Sequence, residues 1–245
     1  MIKTKNISEQ AYLHIRETLL NSDVYVGQKI LHNELGHKLG ISHTPLREAM
    51  FRLVAEGLLE HENYKGFSIS AITLDEAREI YETREVIEPP MAKKAAGAMT
   101  AKKSVALLKI LEHYKRLLSE PYNRRRLLVD KKLHMEIAML SGNKILAQTL
   151  NLICDKLIFK SLFEKISPER GQEIVQEHSK ILKALEKKDG KKAAELMRNH
   201  LLEQKHYVLK SIKSTEAKNI LRPLAKLNKV KSSNWVMYNT PVEDI

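Results

Sequence analysis

The sequence predicts a mainly α-helical protein, in which a small N-terminal domain of helices and a hairpin precedes an all-α antiparallel helical bundle. In residues 39–70, a turn, an amphipathic helix and two short strands joined by a tight turn follow one another directly. Over residues 74–211, apolar residues recur at helical spacing with short breaks and no convincing strand. The expected domains are therefore residues 1–72, residues 73–215 and a basic C-terminal extension over residues 216–245.

The N-terminal domain is expected to hold three helices and a hairpin. Gly40 ends the second helix, and Pro45 falls in the first turn of the third. Proline is tolerated there because the N–H groups of a first turn have no intrahelical acceptor. Gly57 then ends the third helix before the hairpin. The predicted elements are helices over 7–20, 33–39 and from Thr44, a turn at 26–29 after the first helix, and strands over 58–62 and 67–70.

An exposed arginine and a basic hairpin tip follow each other closely in this domain. Arg47 lies near the N-terminus of the third helix, and Lys65 lies at the hairpin turn. A recognition helix followed by a basic-tipped hairpin is the arrangement with which a winged helix-turn-helix contacts DNA. The first domain is therefore expected to bind double-stranded DNA.

The second domain reads as about six helices with short connections, which is typical of antiparallel neighbours. Pro89 and Pro90 fall inside the first of these helices and predict a bend or an interruption there. Pro121, Ser141-Gly142 and Asp189-Gly190 separate later helices. The predicted segments are 74–99, 100–119, 123–140, 144–164, 167–188 and 191–211.

The charge of the chain is unevenly distributed. Its formal net charge is +12, yet residues 1–72 carry eight basic and eight acidic side chains, so the excess lies beyond the first domain. The start of the chain has no apolar run after its lysines, so no signal peptide is expected, and no stretch approaches the roughly 18 apolar residues of a membrane span. The single cysteine, Cys154, has no intrachain disulfide partner. These features favour a cytoplasmic protein.

The C-terminal extension differs in composition from the bundle. Residues 216–245 contain several lysines, a lone Trp235 and two prolines, Pro223 and Pro241. Such a segment is either a loosely docked tail or an arm that contacts DNA phosphate or a partner subunit.

Four polar residues occupy positions where a helical bundle usually places leucine. Asp130 and His134 are four apart on one helix face, and His178 and His200 lie on the apolar stripes of two other helices. Isolated burial of such groups costs several kcal/mol, so they must be hydrogen-bonded to one another or bound to a metal. Carboxylate and imidazole ligands suit a divalent ion such as zinc, nickel, cobalt or manganese. The pattern alone leaves both explanations open.

Two sets of motifs resemble a known family. LGISHTPLREAMFRLVAEGLLE resembles the signature of GntR-family transcriptional regulators. The bundle resembles the FadR-type C-terminal ligand-binding domain in its metal-binding branch, through YETREVIEP, DKKLH, Gly142-Asn143, QEHSK and MRNHL. The resemblance covers about residues 7–211 and leaves the C-terminal extension out.

The resemblance implies roles for individual residues. The DNA-binding candidates are Lys38, His43, Thr44, Arg47, Arg52, Lys65 and Gly66, with His43 at a position where the family commonly has arginine. The implied metal ligands are Asp130, His134, His178 and His200, and the implied effector-binding residues are Arg84 and Asn143. It also implies a homodimer that binds a pseudo-palindromic operator.

The leading hypothesis is a ligand-responsive, sequence-specific DNA-binding repressor rather than an enzyme. Its effector is expected to be a small carboxylate bound beside a divalent metal, zinc or nickel first, with cobalt and manganese as further candidates. One alternative is an all-α metalloenzyme that acts on a small carboxylate through the site of one aspartate and three histidines. Another is a DNA-binding protein whose bundle only dimerises.

Overall fold

The computed structural model describes residues 2–21, 26–119, 124–160 and 166–217. Within this part the chain divides into two compact units. The first, here called the head, contains the described residues up to Ile72 together with residues 155–160; the second, the bundle, contains 73–154 and 166–217. The predicted C-terminal extension lies outside the described residues from position 218 onward. No helix in the described ranges has the length and apolar character needed to cross a bilayer.

The head consists of three helices and a small antiparallel sheet with the strand order β1-β3-β2. Ile30 of β1 and His61 of β2 both pair with Phe67 of β3. Strand β1 was not predicted, because two residues are too few to give a strand periodicity, and its first residue, Lys29, lies within the predicted turn. The elements are α1 (Ile2–Asn21), β1 (Lys29–Ile30), α2 (His32–Leu39), α3 (His43–Ala55), β2 (Glu60–Glu62) and β3 (Gly66–Ser68).

The core of the head lies where α1 packs against α3. Ile15 and Leu19 from α1 are fully buried, as are Met50 and Leu53 from α3. Helix α2 approaches the N-terminal half of α3 closely, since a Cβ at Gly36 would lie 2.7 Å from Cδ2 of Leu46. The third helix is thus held from two sides, with its first turn at the surface.

The bundle contains six α-helices in its described residues, as the sequence predicts. Three of them begin at hydroxyl caps, in which Thr73, Thr100 and Ser167 accept a hydrogen bond from the backbone N–H three residues later. The elements are α4 (Leu74–Gly97), α5 (Ala101–Arg116) followed by a 3₁₀ turn (Leu117–Ser119), α6 (Arg124–Leu140), α7 (Lys144–Lys160, of which residues 155–160 belong to the head), α8 (Pro168–Glu186) and α9 (Gly190–Ala217).

Helix α4 runs through Pro89 and Pro90 without the interruption that these prolines predict. It packs against α9, α6 and α8, and Pro89 is buried beside Glu88 and Met91. Packing on three sides therefore outweighs the local preference of proline for a helix end. This continuity places the polar residues of α4 against the middle of the bundle.

Candidate functional site

Three histidines from three helices meet inside the bundle. His134 (α6), His178 (α8) and His200 (α9) are at most 2% exposed, and one nitrogen of each lies within 4.8 Å of the other two. The Nε2 atoms of His178 and His200 are 3.3 Å apart. Asp130 flanks this histidine cluster, with carboxylate oxygens 3.9 Å from Nε2 of His134 and 3.7 Å from Nε2 of His178.

Two carboxylates orient the imidazole rings from behind. Oε2 of Glu88 on α4 lies 2.5 Å from Nδ1 of His134, and Oε2 of Glu177 on α8 lies 2.6 Å from Nδ1 of His200. Each carboxylate accepts a hydrogen bond from Nδ1–H of its histidine. The Nε2 lone pair of that ring is then left to face the cluster. Metal-binding histidines are commonly held in this way.

The charge states of these groups suit ligation. Burial opposes ionisation of Glu88, but Arg84 and His134 outweigh it and lower its pKa to about 2. Burial depresses the pKa of His178 well below its usual value, and neighbouring His200 adds to the effect. The pKa of His200 is also lowered by burial, although Glu177 opposes this. His178 and His200 are therefore neutral near pH 7, and neutral imidazole is the form that binds a metal.

Some polar atoms of the cluster are buried without a hydrogen-bond partner, and they indicate whether the cluster fits a metal. Oδ1 of Asp130 and Nε2 of His134 are buried beside the other ligands and make no hydrogen bond. Native proteins rarely leave such atoms unsatisfied. Three imidazoles and one carboxylate form a donor set that suits zinc or nickel, and the residues present fit a divalent ion.

The two predicted effector-binding residues already have partners within the bundle. Arg84 is 4% exposed, its Nε donates to Oε1 of Glu88 at 2.5 Å, and its Nη2 lies 3.4 Å from Nδ1 of His134. Asn143 lies directly before α7, and its Oδ1 accepts the N–H of Leu146 at 3.1 Å. Arg84 thus supports Glu88 and His134, and Asn143 caps a helix.

The predicted DNA-binding residues of the head differ in what they contact. His43, Thr44 and Arg47 are exposed on the first turns of α3, and the described part of the chain offers Arg47 no carboxylate partner. By contrast, Arg52 forms ion pairs with Glu9 and Glu56.

The cation of Arg52 also stacks on an aromatic ring of the first helix. Its guanidinium carbon lies 3.6 Å from the ring centroid of Tyr12. Arg52 therefore ties α3 to α1 within the head.

The hairpin tip is exposed and lightly paired. Nζ of Lys65 lies 2.5 Å from Oε2 of Glu62, both at the surface, where such pairs contribute little. Gly66 has a φ of +85°, which side-chain-bearing residues rarely adopt. Lys38 is exposed near the end of α2. Lys65 can therefore leave Glu62 and bind another anion at a small cost in free energy.

Two family models match the chain over the two units. Residues 7–69 match the description "Bacterial regulatory proteins, gntR family", and residues 79–203 match the FCD domain. The chain belongs to the GntR family. It combines the GntR helix-turn-helix with an FCD domain, as the motifs of the sequence indicate.

Curated GntR relatives extend over most of this chain. The HTH-type transcriptional regulator YdhC of Bacillus subtilis is 26% identical over 78% of this chain and 86% of its own length. The HTH-type transcriptional repressor RspR of Escherichia coli is 25% identical over 82% and 88%. The solved structure of E. coli McbR/YncC has the same fold, with a TM-score of 0.73, 21% identity, and coverage of 84% of this chain and 97% of that one.

Membership in the GntR family decides between two of the sequence hypotheses. The chain is a ligand-responsive transcriptional regulator with DNA as its partner, and the metalloenzyme alternative is set aside. The two glutamates behind the histidines lie within the motifs of the resemblance, but the sequence assigned them no role. Glu177 precedes His178 directly, whereas Glu88 lies 46 positions before His134, so only the first had a local signal.

Proposed function

We propose that this GntR regulator is a metal-dependent repressor. A homodimer binds a pseudo-palindromic operator through its two heads, and a small carboxylate effector binds in each bundle beside one divalent ion. The ion is held by Asp130, His134, His178 and His200, with zinc or nickel preferred and cobalt or manganese as further candidates. A protein that works on the genome of a bacterium works in the cytoplasm.

The observation that carries the metal proposal is the orientation of the rings. Glu88 and Glu177 accept hydrogen bonds from the Nδ1–H groups of His134 and His200, which leaves the Nε2 atom of each ring free to bind an ion. A divalent ion there supplies positive charge and an open position for a carboxylate. The protein holds the four ligand side chains in place and shields them from solvent.

Metal analysis of the full-length protein tests the site. We expect one divalent ion per subunit in protein purified without a chelator, and a melting temperature that falls when the ion is removed, because a ligand bound only by the folded state stabilises it. His178→Ala should lose the ion, whereas the half-buried His113→Ala should retain it. A wild-type protein that contains no metal and melts unchanged after chelation would refute the metal.

DNA binding is tested at the recognition helix. Arg47 is the exposed arginine of α3 that has no carboxylate partner in the described residues, and arginine is the usual reader of guanine in the major groove. Arg47→Ala should abolish the footprint on an operator selected from genomic fragments. Arg198→Ala removes an exposed arginine from the bundle and should leave the footprint intact. An unchanged footprint with Arg47→Ala would refute this recognition surface.

Coupling between effector and operator follows from the need to engage two half-sites together. Effector binding can change the spacing and orientation of the two heads. Operator affinity then changes, because spacing and orientation set the effective concentration at which the second head binds its half-site. Size-exclusion chromatography with light scattering should give the mass of a dimer. The repressor role is supported by the likeness to RspR, which is named a repressor. A reporter fused to the operator should rise when the gene is deleted.

A further inference from the structure

One arginine near the histidine cluster is buried with no carboxylate partner among the described residues. Arg126 on α6 is 4% exposed, and its Nη1 makes no hydrogen bond. In the described ranges, no carboxylate forms an ion pair with it. A guanidinium is never neutral in a protein, and a buried charge without a partner is strongly destabilising. This position therefore calls for an anion that the described residues do not supply.

Arg126 lies on the same helix face as two predicted metal ligands. Arg126, Asp130 and His134 are spaced four apart on α6, so their side chains follow one another along one face. One such step rises about 6 Å along a helix axis. An anion on Arg126 therefore lies roughly one helical turn from the carboxylate of Asp130.

A buried tyrosine lies against the histidine cluster. Tyr114 on α5 is 3% exposed, and its ring meets that of His178 edge-on with 5.9 Å between centroids. Its phenol hydroxyl is a hydrogen-bond donor.

The other arginines of this region are already neutralised. Arg170 donates to Glu177 at 2.6 Å and to Glu173 at 3.0 Å. Arg84 is bonded to Glu88. Arg126 is thus the arginine among these three that remains able to receive an anion from outside the chain.

We propose that Arg126 binds a second acidic group of the effector, which makes the effector a short dicarboxylate rather than a monocarboxylate. The inference rests on the proposed function, in which the first carboxylate binds beside the metal. Arginine suits the second because its planar fork can donate two parallel hydrogen bonds to one carboxylate.

Matched pairs of anions test this on the full-length, zinc-loaded protein. Succinate is compared with butyrate, and glutarate with valerate, by titration and by thermal shift. The wild type should bind at least one dicarboxylate about ten- to a hundredfold more tightly than its monocarboxylate of equal length. Arg126→Met should lose this preference, and Arg126→Lys, which keeps the charge without the fork, should keep part of it. The exposed Arg198→Met is the charge control and should behave as the wild type.

A second measurement needs neither metal nor effector. In chelated protein without added anions, Arg126→Met should melt at a higher temperature than the wild type, since the uncompensated buried charge is gone. Arg198→Met should not. This separates the inference from the proposed function, because a wild type without metal refutes the latter and leaves this stability test standing.

Three results would overturn the proposal. One is a wild type that binds each dicarboxylate no better than its monocarboxylate partner. Another is an Arg126→Met protein that keeps the preference. The third is loss of zinc from Arg126→Met while Arg198→Met retains it, since Arg126 would then position the metal ligands instead of binding the effector.

Discussion

Oε2 of Glu177 accepts a hydrogen bond from Nδ1–H of His200 at 2.6 Å, although the two residues lie on different helices. The same carboxylate binds the guanidinium of Arg170, whose Nη1 lies 2.6 Å from Oε1. Burial opposes ionisation of Glu177, but these two hydrogen bonds outweigh it and lower its pKa. A charged Glu177 fixes the tautomer of His200 and holds its Nε2 toward the other histidines.

Glu177→Gln should therefore weaken metal binding about ten- to a hundredfold, which is the usual cost of losing such an orienting partner. The glutamine keeps the size of the side chain but is a weaker acceptor for the Nδ1 proton. Competition with a chromophoric chelator measures the affinity.

The chain offers a close control for this experiment. Glu173 lies on the same helix and also binds Arg170, at 3.0 Å, but it is exposed and contacts no histidine. Glu173→Gln should leave the metal affinity unchanged. Equal losses in both variants would mean that Arg170 pairing, and not the contact with His200, sets the affinity.

Helix periodicity predicted much of the bundle because burial follows a regular spacing. His178 lies in the stripe with Ile174, Ile181 and Leu185, and all four are buried, so the apolar pattern located a polar residue in the core. The same reasoning predicted six bundle helices. Their ends differ by a few residues from the prediction, since terminal turns depend on caps rather than on periodicity.

Contacts between distant residues could not be predicted from spacing. Arg84 is an arginine on a buried face, and sequence reasoning assigned it to an effector carboxylate. The structure pairs it with Glu88, four residues later on its own helix, and places both behind His134. The spacing of four residues is compatible with the Arg84–Glu88 pair, but whether Glu88 reaches His134 depends on the rotation of α4 against α6. Periodicity leaves that rotation open.

Asn143→Ala should cost about 1 kcal/mol of stability, the usual value of an N-cap. The Oδ1 of Asn143 accepts the N–H of Leu146 and so satisfies a free donor in the first turn of α7. Chemical denaturation measures the loss, and Asn143→Asp, which caps equally well, should restore stability. Unchanged stability together with a weaker response to carboxylates would instead favour an effector-binding role for Asn143.

Tyr12→Phe should remove a pH dependence of stability in the alkaline range. Burial, and then the hydrogen bond to Glu56, raises the pKa of Tyr12 to about 12. The unfolded phenol ionises near pH 10, so the folded state keeps a proton that the unfolded chain releases. The stabilisation by Tyr12 is therefore present below about pH 10 and is lost as the pH rises toward 12.

Urea unfolding of wild type and Tyr12→Phe at several pH values from 8 to 11.5 measures this effect. The wild type should be the more stable at pH 8, and the difference should shrink as the pH rises. A difference that stays constant over this range would contradict the raised pKa.

Operator binding should depend weakly on salt for a regulator with a net charge of +12. The head carries equal numbers of acidic and basic residues up to position 72, and Arg52 is bound to Glu9 and Glu56. Among the predicted DNA-binding residues, Lys38 and Lys65 are the two lysines, and we assign them to phosphate because Arg47 is assigned to the bases. Two such contacts per head in a dimer give a slope of log affinity against log salt of about −4.

Lys65 provides the internal test of this slope. Its pair with Glu62 lies at the surface and is easily exchanged for phosphate. Lys65→Gln removes one contact per head, so the slope should become shallower by about 2, while affinity falls alike for operator and random DNA. Lys191→Gln, an exposed change in the bundle, should leave the slope unaltered. A wild-type slope of about −8 or steeper would contradict the prediction, because it requires cations beyond the head to bind DNA, and residues 218–245 hold several lysines.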